Sequence, residues 1–259
     1  MAKVEGGAPP TQLKSPREVE IMARGGVILY NTLEHMRKHV AAGITTGELD
    51  ALAEAFIRSH KGAEPAFKGL YGFPGSACIS VNEEVVHGIP SRKRPLALGD
   101  IVSLDVGVKF EGMYTDAAIT VPVGEIDAAT TRLLEITQQA LAAGIAAAVP
   151  ENHVGDIGAA IQAVVEGAGL SIVRELVGHG VGFSPHEELQ IPNYGKPKRG
   201  KRLAPGLTIA IEPMVNMGTA KTRTLSDKWT VVTADGLRSA HFEHTVAVTE
   251  QGPRILTTA

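Results

Sequence analysis

Residues 96–105 read LALGDIVSLD, and residues 203–212, which lie 107 positions later in this 259-residue chain, read LAPGLTIAIE. Both stretches place a glycine before a run of apolar residues, and both end on an acidic residue. A second match has nearly the same offset, because GEL at 47–49 recurs as GDI at 155–157. Two matches that keep their order and spacing indicate an internal repeat.

A third match extends the repeat. DAAI at 116–119 resembles EHTV at 243–246 if the second half carries about 20 additional residues. Three matches in one order are difficult to attribute to chance. We therefore predict two copies of one α/β unit, at about 15–124 and 125–251, with their sheets fused around a pseudo-two-fold axis.

Each copy is expected to contain two helices followed by strands. The sequences SPRE at 15–18 and TTGE at 45–48 have the pattern of a capping box, which satisfies free backbone N–H groups at the start of a helix. Apolar periodicity and alternation predict helices at about 16–39, from 46, at 128–149 and at 154–167, and strands at 101–109 and 113–121. Residues 1–14, which contain paired glycines and prolines, are predicted to form a flexible arm ahead of a single domain at 15–259.

The composition favours a soluble, cytoplasmic protein. A formal net charge of -3 gives no global case for binding nucleic acid. The single cysteine, Cys78, excludes an internal disulfide and fits a reducing compartment. The longest apolar run, at 141–149, is well short of the ~20 residues that a membrane span needs, and no secretory signal is recognised. We expect a monomer without a membrane segment.

Two acidic residues stand among apolar neighbours on the predicted hairpin. A two-residue turn at Glu111-Gly112 places Asp116 opposite Gly107. Because side chains two residues apart in a strand share a face, Asp105 lies on the same face as Asp116. Two carboxylates on one buried face repel each other unless a cation lies between them.

The repeat doubles this arrangement. Glu212 is the counterpart of Asp105, each at the predicted end of the first strand of its half, and Glu243 is the counterpart of Asp116. Four carboxylates then converge on the axis, which indicates two divalent cations. A single acid at a strand end is more often a turn cap or a surface group, but four at equivalent positions on apolar strands favour a metal site.

A histidine in a glycine-rich segment completes the set. Residues 178–182 read GHGVG, and the glycines allow the backbone to approach another group closely. Phosphate binding is a weaker alternative, because the spacing fits neither a dinucleotide nor a P-loop fingerprint. Beside four carboxylates, His179 supplies the imidazole that favours Mn, Fe, Co or Zn over Ca or Mg.

Further segments extend the pattern along the chain. In order, the motifs are CISVN at 78–82, VHGIP at 86–90, SLDVG at 103–107, TD at 115–116, GHGVG at 178–182, IEPM at 211–214, Trp229 and FEHT at 242–245. Together they resemble the motifs of the type I methionine aminopeptidases. The resemblance implies the pita-bread fold, an α/β (α+β) arrangement of two repeat-related halves with a central curved antiparallel sheet covered by helices. It also implies removal of the initiator methionine from nascent proteins, favoured by a small second residue.

The resemblance implies a set of five ligands for two divalent cations, Co, Mn or Fe, with Zn as a further option. Asp105 would bind one cation through both oxygens, while His179 and Glu212 would hold the second. Asp116 and Glu243 would bridge the two. Glu212 would also act as general base, taking a proton from a water molecule that the cations activate.

Two more histidines and an apolar pocket follow from the same resemblance. His87 would hydrogen bond the scissile amide nitrogen and His186 would stabilise the developing oxyanion, so both would be catalytic, substrate-binding residues and not ligands. Aromatic rings and a soft sulfur suit a methionine thioether. The residues expected to line the methionine pocket are Phe67, Phe73, Cys78 and Trp229.

Two alternative functions stay open. A Pro-specific peptidase of the same fold would use the same ligands, although the length of the chain argues against it. A catalytically inactive binding module would not need the complete ligand set.

Two basic loops occupy equivalent places in the repeat. One is Arg92–Arg94, and the other, Lys196–Arg202, contains Lys198, Arg199 and Lys201. No acidic residue interrupts either loop, so each is locally positive. They are either solvated surface loops or a transient contact with ribosomal RNA near the exit of the nascent chain.

Overall fold

The computed structural model describes residues 8–259, and its helices begin at the predicted caps. The two capping boxes, Ser15 with Glu18 and Thr45 with Glu48, are both formed. The helices are α1 (Pro16–His39), α2 (Thr46–Arg58), α3 (Ala128–Ala147) and α4 (Val154–Gly167). The predicted helices are therefore confirmed, and α3 ends two residues earlier than expected.

The strands form one large sheet and two small ones. In chain order they are β1 (Ala63–Pro65), β2 (Ala77–Val81), β3 (Glu84–Val86), β4 (Ile101–Phe110), β5 (Met113–Pro122), β6 (Ser171–Ile172), β7 (Gly178–Gly180), β8 (Glu187–Ile191), β9 (Thr208–Ile211), β10 (Met214–Asn216), β11 (Thr222–Thr224), β12 (Val231–Thr233), β13 (Ser239–His241), β14 (Glu243–Thr249) and β15 (Gly252–Ile255). The large antiparallel sheet has the order β1-β4-β5-β14-β9-β7-β8, with β2 also paired to β4 and β15 to β14. The small sheets are β13-β10-β6 and β11-β12-β3.

The β4–β5 hairpin has the predicted register, with Asp116 opposite Gly107. Its turn residues, Glu111 at φ 47° and Gly112 at φ 85°, adopt the left-handed conformation that two-residue hairpin turns favour. The sequence analysis is wrong in placing Asp105 at a strand end. Asp105 lies in the middle of β4, because β1 and β5 both pair with the part of the strand that follows it.

Alternation along β4 and β9 separates the acids from the helices. Leu104 and Val106 belong to a core shared with α1 and α2, whereas Ile209 and Ile211 belong to a second core shared with α3 and α4. Since neighbouring residues of a strand face opposite sides, Asp105 lies on the other face of the sheet, the helix-free face, which the helices α1–α4 do not cover.

Backbone contacts follow the spacing of the sequence repeat. Isolated antiparallel bridges join Thr45 to Pro95 and His153 to Arg202, and corresponding members of the two bridges are 108 and 107 residues apart. Thr45 and His153 directly precede α2 and α4. Pro95 follows the first basic loop and Arg202 ends the second, so each bridge joins the start of a helix to the basic loop region of the same half. The halves join where β5 pairs with β14.

The equivalent strand pairs of the large sheet, β4 with β5 and β9 with β14, differ in register by two residues. Leu104 lies opposite Ile119 in the first half. Its counterpart Ile211 lies opposite His244 in the second half and not opposite Val246. A shift of two residues keeps every side chain on its original face, so the acids of both halves still face the same side.

The described residues of the predicted flexible arm are ordered. Backbone and side-chain hydrogen bonds join residues 9–14 to β8, and Lys14 Nζ lies 2.6 Å from a Glu187 carboxylate oxygen with both side chains buried. The arm prediction is therefore wrong for residues 9–14, while residues 1–7 lie outside the described residues. Between residues 8 and 259, no helix combines the length and apolar character needed to cross a membrane.

Candidate metal centre

Four carboxylates and one imidazole meet on the helix-free face of the large sheet. Asp105, Asp116 and Glu243 each offer an oxygen within 4.8 Å of the others. His179 and Glu212 form a second such group with Glu243. Because Glu243 belongs to both groups, they are adjacent. The structure thus brings together the five residues that the sequence indicates as ligands.

Buried hydrogen bonds fix the backbone that carries the acids. The amide of Asp116 donates to Thr245 Oγ1 at 2.9 Å, and its carbonyl accepts from the same hydroxyl at 2.8 Å. The carbonyl of Glu212 accepts from Asn193 Nδ2 at 3.0 Å. Since Thr245 and Asn193 are fully buried, water does not compete for these bonds, and the site is preorganised.

The acids lack sufficient partners of their own. Oδ1 of Asp105, Oδ1 of Asp116 and Oε1 of Glu243 are buried with no hydrogen-bond partner in the described part of the chain. Burial raises the pKa of Asp105 to about 7. Burial and neighbouring carboxylates raise the pKa of Asp116, Glu212 and Glu243 well above the usual range. Orphaned buried oxygens are costly, and divalent cations would satisfy them, so these residues fit a metal centre.

The tautomer of His179 points to the same conclusion. Its Nδ1 lies 3.0 Å from the carbonyl oxygen of Gly180, which only accepts, so Nδ1 carries the proton. Burial lowers the pKa of His179 to about 3, so the ring is neutral and Nε2 presents a lone pair. That nitrogen lies 3.4 Å from Glu212 Oε1. A lone pair on Nε2 and one on Oε1, placed this close together, can both bind one cation.

Two further predicted histidines border the ligand cluster. The ring of His186 lies 4.4 Å from that of His179, and a ring nitrogen lies within 4.8 Å of the donor atoms of Asp116 and His179. His87 has a left-handed backbone at φ 59°. Its ring is perpendicular to that of Trp229, with the ring centroids 6.5 Å apart. Burial lowers the pKa of His186 and lowers that of His87 to about 4, so both rings are neutral near pH 7.

The predicted pocket residues form an apolar cluster beside the acids. Phe67, Phe73 and Cys78 are buried together, and the partly buried Trp229 packs against them. Cys78 lies directly opposite Asp105 in the β2–β4 pairing. Burial raises the pKa of the Cys78 thiol, so the group stays protonated and behaves as a small apolar side chain. The apolar cluster therefore lies directly beside the ligand cluster, on the neighbouring strand.

One residue of the site is missing from the sequence prediction. His241, at the end of β13, is 2% exposed. Its Nε2 lies 3.8 Å from a Glu212 oxygen and 3.9 Å from a Glu243 oxygen. The available signal is its spacing of two residues from Glu243, because alternate residues of an extended chain share a face.

Comparison with known proteins relates this arrangement to one family. The model of metallopeptidase family M24 matches residues 20–250. The chain belongs to metallopeptidase family M24. This M24 metallopeptidase is 52% identical over 244 residues to methionine aminopeptidase 1 of Bacillus subtilis (strain 168), covering 94% of this chain and 98% of that relative.

Two further comparisons agree. A methionine aminopeptidase of Clostridium perfringens (strain 13 / Type A) is 51% identical over 245 residues, covering 95% of this chain and 98% of the relative. The crystal structure of methionine aminopeptidase from Thermotoga maritima superposes with a TM-score of 0.94 at 42% identity, covering 96% of this chain and 100% of that one. The predicted pita-bread fold and the resemblance to methionine aminopeptidases are confirmed. These relatives favour neither the Pro-specific peptidase nor the inactive binding module.

Proposed function

We propose that this M24 metallopeptidase removes the initiator methionine from nascent proteins, with a preference for a small second residue. The observation that carries the proposal is the pairing of Cys78 with Asp105. This pairing sets an apolar, sulfur-containing cluster, the proposed methionine pocket, directly beside a group of acidic residues with orphaned buried oxygens. The pocket suits a thioether side chain, and the cluster suits hydrolysis of the adjoining peptide bond.

Two divalent cations, Co, Mn or Fe with Zn as a further option, suit four carboxylates and one imidazole. Asp105 would hold one cation, and His179 and Glu212 the other. Asp116 and Glu243 would contact both. When bound, such cations polarise a carbonyl group and lower the pKa of water towards neutrality.

The side chains of this protein would orient the substrate and move the proton. Glu212 would accept the proton of the attacking water, which is the role of a general base. His87, neutral because it is buried, would hydrogen bond the scissile amide nitrogen. His186 would donate to the developing oxyanion, a contribution of ~3–4 kcal/mol for one good donor.

Peptide cleavage tests the proposal directly. Protein loaded with Co²⁺ or Mn²⁺ is assayed on Met-Ala-Ser, Leu-Ala-Ser, Lys-Ala-Ser and an Xaa-Pro peptide, and bound metal is measured on the same sample. We expect Met-Ala-Ser to be cleaved fastest and Leu-Ala-Ser to be poorer by ~1–3 kcal/mol of discrimination. Met-Ala-Ser should also exceed Met-Phe-Ser. Comparable rates on the Met, Leu and Lys peptides, or a preference for Xaa-Pro, would contradict the proposal.

We further propose that the protein works as a cytoplasmic monomer that touches the ribosome transiently through Arg92–Arg94 and Lys196–Arg202. The support is electrostatic, since phosphate backbones attract clustered basic residues. Part of this charge is internally paired: Arg94 lies 2.5 Å from Glu84, and Arg202 contacts Glu151. Lys198 and its neighbours therefore offer most of the available positive charge in the second loop.

Ribosome co-sedimentation tests this contact. Binding should fall sharply between low and physiological salt, and further when Lys198, Arg199, Lys201 and Arg202 become alanine. The control removes four dispersed basic residues, Arg17, Lys38, Lys61 and Lys221. Cleavage of a free tripeptide should barely change in either variant. Equal ribosome binding by both quadruple variants would indicate that the loops are solvated surface and do not contact the ribosome.

A further inference from the structure

His241 is a buried histidine whose ring nitrogens, Nδ1 and Nε2, have no hydrogen-bond partner within residues 8–259. In either neutral tautomer an imidazole carries one N–H donor. Leaving a buried polar group unsatisfied destabilises the folded protein. The position of this ring therefore calls for a functional reason.

The backbone holds the His241 side chain on the site face. Thr120 Oγ1 donates to the His241 carbonyl at 2.8 Å and accepts from the His241 amide at 2.9 Å. The next residue, Phe242, belongs to the helix-side core. Alternation then places His241 and Glu243 on the same side of the chain.

The polar neighbours of Nε2 are carboxylates. Glu212 Oε2 lies at 3.8 Å and Glu243 Oε2 at 3.9 Å. These distances are longer than hydrogen bonds, yet they leave no room for a water molecule in line between the two atoms, since each contact would need ~2.8 Å. A displacement of about 1 Å would bring Nε2–H into hydrogen-bond distance of Glu212.

Glu212 thus stands between two imidazoles. His179 approaches Oε1 at 3.4 Å, while His241 approaches Oε2. From this geometry we infer that His241 is a positioning residue, which donates through Nε2–H to Oε2 of Glu212 and leaves Oε1 free for a cation. This role rests on the proposed function of Glu212 as ligand and general base. Outer hydrogen bonds of this kind change metal affinity or activity by roughly 10–100-fold when removed.

Two variants separate hydrogen bonding from packing. His241→Leu keeps an apolar side chain of similar bulk without a donor, and His241→Gln keeps an N–H donor. Metal-free protein is titrated with Co²⁺ by calorimetry, and the visible absorption of the bound cobalt is recorded. We expect His241→Leu to weaken Co²⁺ binding roughly 10–100-fold and to alter the spectrum, with His241→Gln within a few-fold of wild type. On Met-Ala-Ser, His241→Leu should lower kcat more than it changes KM.

Further measurements keep the result interpretable. His244→Leu is the matched control, because His244 contacts Thr257 at 2.9 Å and lies outside the ligand cluster. If His241→Leu fails to fold, ¹⁵N NMR of histidine-labelled, Zn²⁺-loaded wild type decides, and His241 must carry its proton on Nε2. An Nδ1–H tautomer, unchanged Co²⁺ binding in His241→Leu, or equal losses in both variants would overturn the inference. Co²⁺ binding without methionyl-peptide cleavage would instead reject the proposed function.

Discussion

Thr245 and Asp116 exchange two hydrogen bonds through one hydroxyl, across the junction of the two halves. Thr245 Oγ1 accepts from the Asp116 amide at 2.9 Å and donates to the Asp116 carbonyl at 2.8 Å. Thr245→Val keeps the shape of the side chain but leaves both backbone groups buried without a partner. We expect a loss of about 1–3 kcal/mol in the free energy of unfolding, measured in urea.

The matched control for this change is Thr249→Val in the same strand. Thr249 bonds the carbonyl of Gly252 at 2.8 Å at a half-buried position, where water can replace the lost partner. Thr249→Val should therefore lower the free energy of unfolding clearly less than Thr245→Val. Equal costs would show that the contact with Asp116 adds nothing beyond an ordinary loop bond.

Asp105 makes the stability of the metal-free protein depend on pH. Burial raises its pKa to about 7, whereas an unfolded aspartate titrates near ~3.9. Between these values the folded protein binds more protons than the unfolded chain, so its stability falls as the pH rises. In chelator, wild type should lose stability relative to Asp105→Asn as the pH rises from about 4 to 7, and the difference should level off above about pH 8. Comparing the two proteins cancels the titration of the histidines.

Metal content provides a second test of Asp105. Asp105→Ala should lose metal and turnover together, because the carboxylate is proposed to supply oxygens to one of the two cations. Adding Mn²⁺ or Co²⁺ should abolish the pH-dependent loss of stability in wild type. Two metals per chain with near-normal turnover in Asp105→Ala would reject the ligand assignment.

Much of the site follows from local rules. The turn at Glu111-Gly112 fixes the register of the first hairpin, and register decides the face on which Asp105 and Asp116 lie. The repeat then points to Glu212 and Glu243, even though the pairing of β9 with β14 is shifted by two residues, because an even shift preserves the face.

The features missed by sequence reasoning depend on distant contacts. His241 approaches Glu212 through strand pairing between β13 and β10, and its spacing from Glu243 indicates only its face and not this contact. The order of residues 9–14 depends on Lys14, whose bond partner Glu187 lies 173 positions later in the chain. Short-range propensity cannot distinguish such a lysine from one on a flexible arm.

His87 is expected to act on the substrate and not on the metals. The ring is partly buried beside Trp229, and the residue has a left-handed backbone at φ 59°. His87→Ala should lower kcat by ~100-fold or more with metal content intact, as for loss of a proton-transfer or hydrogen-bonding group. His87→Asn tests backbone strain, since asparagine tolerates this conformation, and it should be equally impaired. The exposed His39→Ala is the neutral control, and loss of metal from His87→Ala would make His87 a ligand.

Gly107 leaves room for the ring of Phe67, one of the residues proposed to line the methionine pocket. A Cβ at this position would lie 2.7 Å from the Phe67 ring and 2.9 Å from Ala66 Cβ. Gly107→Ala should therefore displace Phe67 and lower kcat/KM for Met-Ala-Ser about 10-fold or more, while two metals remain bound. Gly167→Ala is the control, because nothing lies within 4 Å of its new methyl group. Unchanged kinetics in Gly107→Ala would indicate that Phe67 does not line the methionine pocket.

The buried pair of Lys14 and Glu187 should contribute far more to stability than an exposed pair of similar length. Lys14 Nζ lies 2.6 Å from Glu187, with 0% and 1% of the side chains exposed, whereas Arg24 and Glu111 pair at 2.7 Å with 56% and 46% exposed. Burial lowers the pKa of Lys14, while the contact with Glu187 raises it again. Lys14→Met leaves the buried carboxylate of Glu187 without its charged partner, so it should lower the free energy of unfolding by ~3–5 kcal/mol. Arg24→Met should change the free energy of unfolding little.

The double variant Lys14→Met/Glu187→Leu should recover most of the loss, because it removes both charges. A double variant no more stable than Lys14→Met would mean that residues 9–14 are held by packing and backbone bonds and not by this ion pair.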